Sequence, residues 1–305
     1  MALFGQGSRP FEANLHLLPR TAGAIYQSDT LELEIPVLPK LISYGSYYLP
    51  TYGVMVALAF LAGLWVTVRL ARTRGLDTEK ITNLVVYVAL AGLLGAKILM
   101  QMFDWRGIAE VFTLNTLQSA GVFQGGLIAA MAFAWYYTRK HGMPILETSD
   151  LFAPGIALGH GIGRLGCLAA GCCWGLECKQ PWAITFHNPE ASILTGVPLE
   201  TPLHPSQLYE FVTELLLFAL LYRMYGRPHT KGRIIGLYLV LGSVARFLIE
   251  FTRNHEQALP FGLPFSITQW IAVGLAVLGV VILARKQTDR STAPGPKRGM
   301  RPQPA

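Results

Sequence analysis

Charge is scarce in this chain of 305 residues: Asp, Glu, Lys and Arg make up only 14% of it, against the about 25% usual for a soluble domain. With 52% hydrophobic residues and a mean hydropathy of +0.39, the composition excludes an ordinary soluble fold and points to a membrane. Cysteine is scarce too. The four present, Cys167, Cys172, Cys173 and Cys178, are spaced C-x4-C-C-x4-C. No C-x2-C pair occurs, the spacing shared by zinc ribbons and thioredoxin-like redox sites, so no metal is expected. A cleavable signal peptide is also missing, because the first 40 residues are mixed polar and hold Pro10, Pro19, Pro36 and Pro39. Neither a repeat of 20–50 residues nor a second soluble domain can be read.

What is present is a series of apolar runs, seven in all: within 41–68, then 81–103, within 111–138, 151–173, 206–222, 234–252 and within 258–284. Each is near the roughly 20 residues a spanning helix needs. Runs four to six are marginal on hydropathy because they carry charge: Arg164; Glu210 and Glu214; Arg246 and Glu250. The loops set the orientation. Sixteen of the 25 lysines and arginines fall in 69–80, 139–150, 223–233 and the tail after 284, against six on the other side. The positive-inside rule then puts the N-terminus outside and the C-terminus in the cytoplasm. The same pattern accounts for the net charge of +7, so no nucleic-acid partner is expected.

The sequence therefore predicts an all-α polytopic membrane protein with seven transmembrane helices. It divides into an external N-terminal segment, 1–45, a seven-helix membrane domain, 46–285, with an external loop, 176–203, and a basic disordered cytoplasmic tail, 286–305. The stretch TLELEIPVL in the N-terminal segment alternates weakly, as one strand or an interfacial piece would. Loop 176–203 is long enough to touch a substrate, though a plain surface loop is the default expectation.

Charges inside spans usually face the bundle interior or a water-filled cavity. Here they form helical stripes: His160, Arg164 and Cys167; Gln207, Glu210 and Glu214; Arg246, Glu250 and Arg253. Under the expected orientation all three lie toward the outer half of the membrane. Arg246 pairing with Glu210 or Glu250 could be purely structural, but three stripes at one depth favour a site. Two arginines suit a phosphate, and the anion at that depth is a phospholipid headgroup. Gly155, Gly159 and Gly163 form a row suited to close helix packing. The glycines are also expected to let the fourth helix break. For the cysteines three readings stay open: external disulfides, catalytic thiols, and a buried inert Cys167.

GRLGCLAAGCCWG at 163–175, followed by HPSQLYE at 204–210, resembles the bacterial prolipoprotein diacylglyceryl transferase family. The resemblance also takes in Tyr52-Gly53, Gly95-Ala96-Lys97, Gly125-Gly126-Leu127 and the stretch from Arg246 to Phe251. It implies an enzyme that moves a diacylglyceryl group from phosphatidylglycerol to the lipobox cysteine of a prolipoprotein, with membrane lipid and prolipoprotein signal peptides as partners and no cofactor. It further implies a catalytic or phosphate-stabilising role for Arg246, beside which His160, Gln124, Glu210 and Tyr52 are expected as catalytic positions. Phospholipid-binding positions follow at Arg164, Gly166, Gly175, Lys97, Gln207, Glu250 and His204.

The chain departs from the family signature. Cys167 and Ala170 stand where asparagines are usual and Cys172 where glutamate is usual. Gln124 replaces a histidine that is a candidate base, and Lys97 replaces an arginine. Glutamine cannot accept a proton at physiological pH, which makes His160 the candidate relocated base; the arginines acting directly on the substrate thiol are the alternative. Two further readings are a relative that binds lipid or lipoprotein without this transfer, and a membrane thiol oxidoreductase using the four cysteines.

Overall fold

A computed structural model describes residues 33–34, 37–44, 47–103, 123–253 and 265–285. Most of the N-terminal segment, positions 111–122 of the third apolar run, positions 258–264 of the seventh and the tail 286–305 lie outside these. Among the described residues seven helices have 18 or more residues: α1 (Thr51–Thr73), α2 (Thr78–Phe103), α3 (Phe123–Lys140), α4 (Ile145–Ala170), α6 (Ser206–Tyr225), α7 (Arg233–Glu250) and α8 (Ile267–Ala284). A short α5 (Pro189–Thr195) lies between α4 and α6. Four helices, α1, α2, α4 and α8, are both long and apolar enough to cross a membrane. Their outward faces carry exposed Leu61, Trp65, Leu93, Leu94, Ile271 and Val277, far more apolar surface than water tolerates.

The fold is not wholly helical. Strands β2 (Lys40–Tyr44) and β3 (Tyr47–Pro50) pair antiparallel, so α1 begins at Thr51 and the start of the first apolar run is a hairpin. An apolar strand and an apolar helix look alike to hydropathy. Strand β1 (Leu33–Glu34), inside the TLELEIPVL stretch, pairs in parallel with β4 (Ile184–Thr185).

The core of the bundle gathers Val66, Leu70 and Ala71 of α1, Leu151, Ala153 and Ala157 of α4, Leu217, Leu221 and Tyr225 of α6 and Ile234 of α7. Packing, more than water exclusion, must hold such helices together in lipid, and α1 and α4 achieve it through small residues. A Cβ on Gly155 would lie 2.5 Å from Thr67 Oγ1 and 2.7 Å from the Gly63 carbonyl oxygen. One on Gly159 would meet the Ala59 carbonyl at 3.2 Å, whereas Gly163 faces open space. The expected glycine row thus packs at two of its three positions. Gly155→Ala should cost about 1–3 kcal/mol through forced separation of the helices. Gly163→Ala should be neutral or slightly stabilising, since alanine favours helix by up to about 1 kcal/mol. Thermal unfolding of both variants in detergent tests this; equal melting temperatures would contradict it.

The expected break in α4 does not occur. The helix runs unbroken through Pro154 and its glycines to Gly171, whose φ of 73° ends it in the left-handed region that glycine adopts without penalty. Neighbouring elements re-satisfy what a proline frees inside a membrane bundle. At the other end of the bundle Asp150 accepts from the Gly232 and Ile235 N–H groups, at 2.6 and 2.8 Å. It thereby caps the first turn of α7 from a different helix. Arg74 donates to the Tyr225 and Arg227 carbonyls there, so that end is tied shut by polar contacts.

Candidate functional site

The opposite end is where the polar stripes meet. Glu210, on the first turns of α6, has a side chain only 4% exposed. Its carboxylate lies 2.6 Å from Arg164 Nε of α4, 2.9 Å from Arg246 Nη1 of α7 and 3.2 Å from Arg253 Nη1 just after α7. Arg246 turns its other terminal nitrogen to Glu250, at 2.7 Å. Glu250 in turn accepts from Ser266 Oγ at 3.0 Å. Ser266 is also the N-cap of α8, in a capping box with Gln269. Four helix segments are thereby joined through one hub.

His160 stands one turn before Arg164. Its Nδ1 is 2.8 Å from Glu214 and its Nε2 is 3.2 Å from an Arg164 terminal nitrogen. An arginine only donates, so Nε2 is the accepting nitrogen and Nδ1 carries the proton toward Glu214. Three carboxylates, Glu210, Glu214 and Glu250, thus stand against three guanidiniums. The carboxylates are buried while the Arg246 side chain is 23% exposed and that of His160 37%. The acidic groups are thus buried more deeply than the basic groups that surround them. Each guanidinium has five N–H donors, and these contacts engage only some of them. The N-terminal turns of α6 and α8 point their positive dipole ends at the same place.

Of the expected site residues, the fold brings Arg164, Arg246, His160, Glu210 and Glu250 together, and adds Glu214 and Arg253, whose stripes the sequence revealed but whose part in the hub it did not. Gln207 is buried beside them, donating to the Cys172 carbonyl at 2.8 Å. His204 stands apart: its ring contacts Tyr209, which also accepts from Trp182. Gly166 and Gly175 are sites of close approach. A Cβ on Gly166 would lie 2.8 Å from Met55 Cβ, and one on Gly175 would lie 2.6 Å from His204 and Ser206. Tyr52 begins α1 and is partly exposed, next to Gly166. Lys97 and Gln124 belong to the α2–α3 pair, with Gln124 exposed; among the described residues no hydrogen bond or ion pair joins Gln124 to the hub.

Arg164 lies within continuous helix and not on a turn. The turn comes after it, at 171–175, and there the cysteines gather. The sulfurs of Cys167, Cys172 and Cys173 all lie within 4.8 Å of one another. Cys178 is buried away from that group, and all four are free thiols. Cys173 has a φ of 62°, a conformation costing a non-glycine residue about 1–2 kcal/mol.

Residues 176–203, expected as a plain surface loop, form a folded cap. Bridges link Gly175 to Arg253, Glu177 to Leu203 and Ile184 to Leu203. Val37, Leu168, Ile184, Phe186, Ala191, Val197 and Leu203 make a second apolar core beneath it. Asn188 caps α5 and holds the Val37 carbonyl at 2.8 Å, while Lys40 pairs with Glu190. The cap therefore joins the N-terminal strands to the end of α4, and the Leu176 N–H, donating to the Thr252 carbonyl at 2.8 Å, ties its start to the chain beside Arg253.

A sequence profile of the prolipoprotein diacylglyceryl transferases matches residues 39–285. The chain belongs to that family. It is 31% identical over 261 residues to the phosphatidylglycerol--prolipoprotein diacylglyceryl transferase of Polynucleobacter asymbioticus, covering 82% of this chain and 97% of the relative. It is 31% identical over 260 residues to that of Vibrio campbellii, covering 82% and 92%. With that of Clostridium tetani it shares 29% over 248 residues, 81% of this chain and 96% of the relative. The matched range runs from the hairpin to the end of α8 and so takes in every element of the hub.

Proposed function

We propose that the chain is a phosphatidylglycerol--prolipoprotein diacylglyceryl transferase of the bacterial inner membrane, acting on phosphatidylglycerol and on the lipobox cysteine of prolipoprotein signal peptides. Family membership over the whole hub supports this, and the observation that carries it is the three-arginine cluster organised on buried Glu210. The reaction forms a C–S bond at the glyceryl carbon, breaks the C–O bond to phosphate and releases glycerol phosphate, while the thiol gives up its proton. Arginines held in place beforehand stabilise the charge the departing phosphate gains. They also favour thiolate over thiol, whose pKa is ordinarily about 8.5. The oxidoreductase alternative is not favoured, because it leaves this cluster without a task.

Seven spans with the N-terminus outside is the topology we favour. The helices α6 and α7 fall short as spans because two of the three charges in each belong to the hub, beside Arg223 and Arg233 at their far ends, and hydropathy counts all of these against them. The hub then lies in the outer half of the bilayer, with Arg164 receiving the lipid phosphate. Drawing Arg164 onto that phosphate frees His160 Nε2 to accept the thiol proton, while Glu214 steadies the ring through Nδ1. Tyr52, at the exposed start of α1, borders the path by which substrate reaches these groups.

Complementation of a strain depleted of its own transferase tests the proposal. Wild type should rescue growth and Arg164→Ala should not, with insertion of both checked by immunoblot; failure of well-inserted wild type would overturn it. In the same assay His160→Ala should lower transfer much more than Gln124→Ala. Equal activities would remove the role assigned to His160.

A further inference from the structure

We propose that Cys167, Cys172 and Cys173 form a three-thiolate binding site for a single soft d10 cation, Zn2+ or Cu+. The three sulfurs come from two different local structures. Cys167 projects from the last turn of α4, while Cys172 and Cys173 follow Gly171 in the turn that ends it. Two left-handed residues, Gly171 at 73° and Cys173 at 62°, curl this turn back over the helix. Such a conformation is uncommon for any residue but glycine, and an outlier held in place by its surroundings points to function.

The geometry suits a metal. Three sulfurs bound at about 2.3 Å around one cation lie about 4 Å from one another, and here all lie within 4.8 Å. Small rotations about χ1 close the difference. Thiolate ligands without oxygen donors select Zn2+ and Cu+ over hard cations. A disulfide could satisfy only two of the three sulfurs and would leave the third unpaired beside it.

The electrostatics suit it as well. Binding displaces three thiol protons to solvent and forms three metal–sulfur bonds, leaving one net negative charge with Zn2+ and two with Cu+. Such charge is costly in a poorly solvated place unless it is compensated. The guanidiniums of Arg164 and Arg253 lie within electrostatic reach of Cys173, and the Gln207 amide fixes the Cys172 carbonyl at 2.8 Å. A cation there would pin the turn at 171–175 to the last turn of α4, on the side where Arg164 lies within electrostatic reach. The missing C-x2-C spacing does not argue against the site, because the turn supplies the proximity that local spacing does not.

The test uses the full chain, solubilised in detergent and reduced under anaerobic conditions. Titration with Cd2+, as a spectroscopic stand-in for Zn2+, should give a thiolate-to-metal charge-transfer absorption saturating at one ion per chain; Cu+ should compete for the same site. Loss of a partner in the outer shell of a metal site already costs about 10–100-fold in affinity, so Cys172→Ser and Cys173→Ser should weaken binding at least that much. Cys178→Ser should bind as wild type does. If the serine variants fail to fold, wild type alone decides: bound metal should protect Cys172 and Cys173, the two partly exposed thiols, from alkylation relative to the metal-free protein, counted by mass. No charge-transfer band, protection of no thiols, or equal loss in Cys178→Ser would overturn the proposal.

Discussion

Glu210→Ala should strongly destabilise the protein and abolish transfer. The substitution removes the one carboxylate that Arg164, Arg246 and Arg253 share. Three guanidiniums then face one another in a poorly solvated space with no charge between them. Removing one partner of a single buried ion pair costs about 3–5 kcal/mol, against total stabilities of about 5–15 kcal/mol. Glu210 itself links α4, α6 and the end of α7, so the loss is felt on three elements at once. A fall in melting temperature of roughly 10 °C is expected, measured by thermal unfolding in detergent. Glu210→Gln keeps the shape and one acceptor oxygen and should fall between wild type and Glu210→Ala. A Glu210→Ala protein melting within a degree or two of wild type would show that the cluster is solvated and the hub is not structural.

Arg246→Ala should reduce turnover by about 10²–10³-fold, the usual cost of losing one preorganised donor to a developing charge. Its stability effect should be smaller than that of Glu210→Ala. Glu210 keeps two other arginines and Glu250 keeps Ser266. The division between kcat and KM is the informative part. If Arg246 acts on the departing phosphate, kcat falls while KM for phosphatidylglycerol changes little. A merely structural role would lower the folded fraction and leave the rate per folded molecule intact. Arg246→Lys should recover only part of the rate, because an ammonium cannot bridge Glu210 and Glu250 with a planar fork.

The hub was legible in the sequence because it obeys local periodicity. His160 and Arg164 fall at i and i+4, and Glu210 and Glu214 likewise, so each stripe could be read from one helix alone. That Arg246 pairs with both Glu210 and Glu250 was weighed only as alternatives, and Arg253 lies past the last residue of its helix, where periodicity stops speaking. The cap was illegible for a different reason. Its bridges join residues far apart, Leu33 with Ile184 and Gly175 with Arg253, and short strands leave almost no alternation to detect. The hairpin before α1 was hidden by its own apolar side chains, Leu41, Ile42 and Leu49. The cysteine trio depends on two backbone angles in one turn, and no spacing rule contains those. The unbroken α4 corrects an expectation drawn from its glycines, each of which costs about 1 kcal/mol relative to alanine in a helix in water.

The α2–α3 pair is built unlike the rest. A Cβ on Gly95 would lie 2.5 Å from the Gly125 carbonyl oxygen, and one on Gly125 would lie 2.4 Å from that of Gly95. The two backbones touch and cannot slide past each other. Toward α1, by contrast, α2 makes only light contact among the described residues. The chain turns sharply between them, from Arg74 to Asp77. In mechanical terms the molecule has one stiff plank laid along a stiff bundle, with a seam between. Among the described residues, parting along that seam breaks few contacts, whereas parting within either body breaks many. The seam is where a sideways opening among these residues would part the fewest contacts.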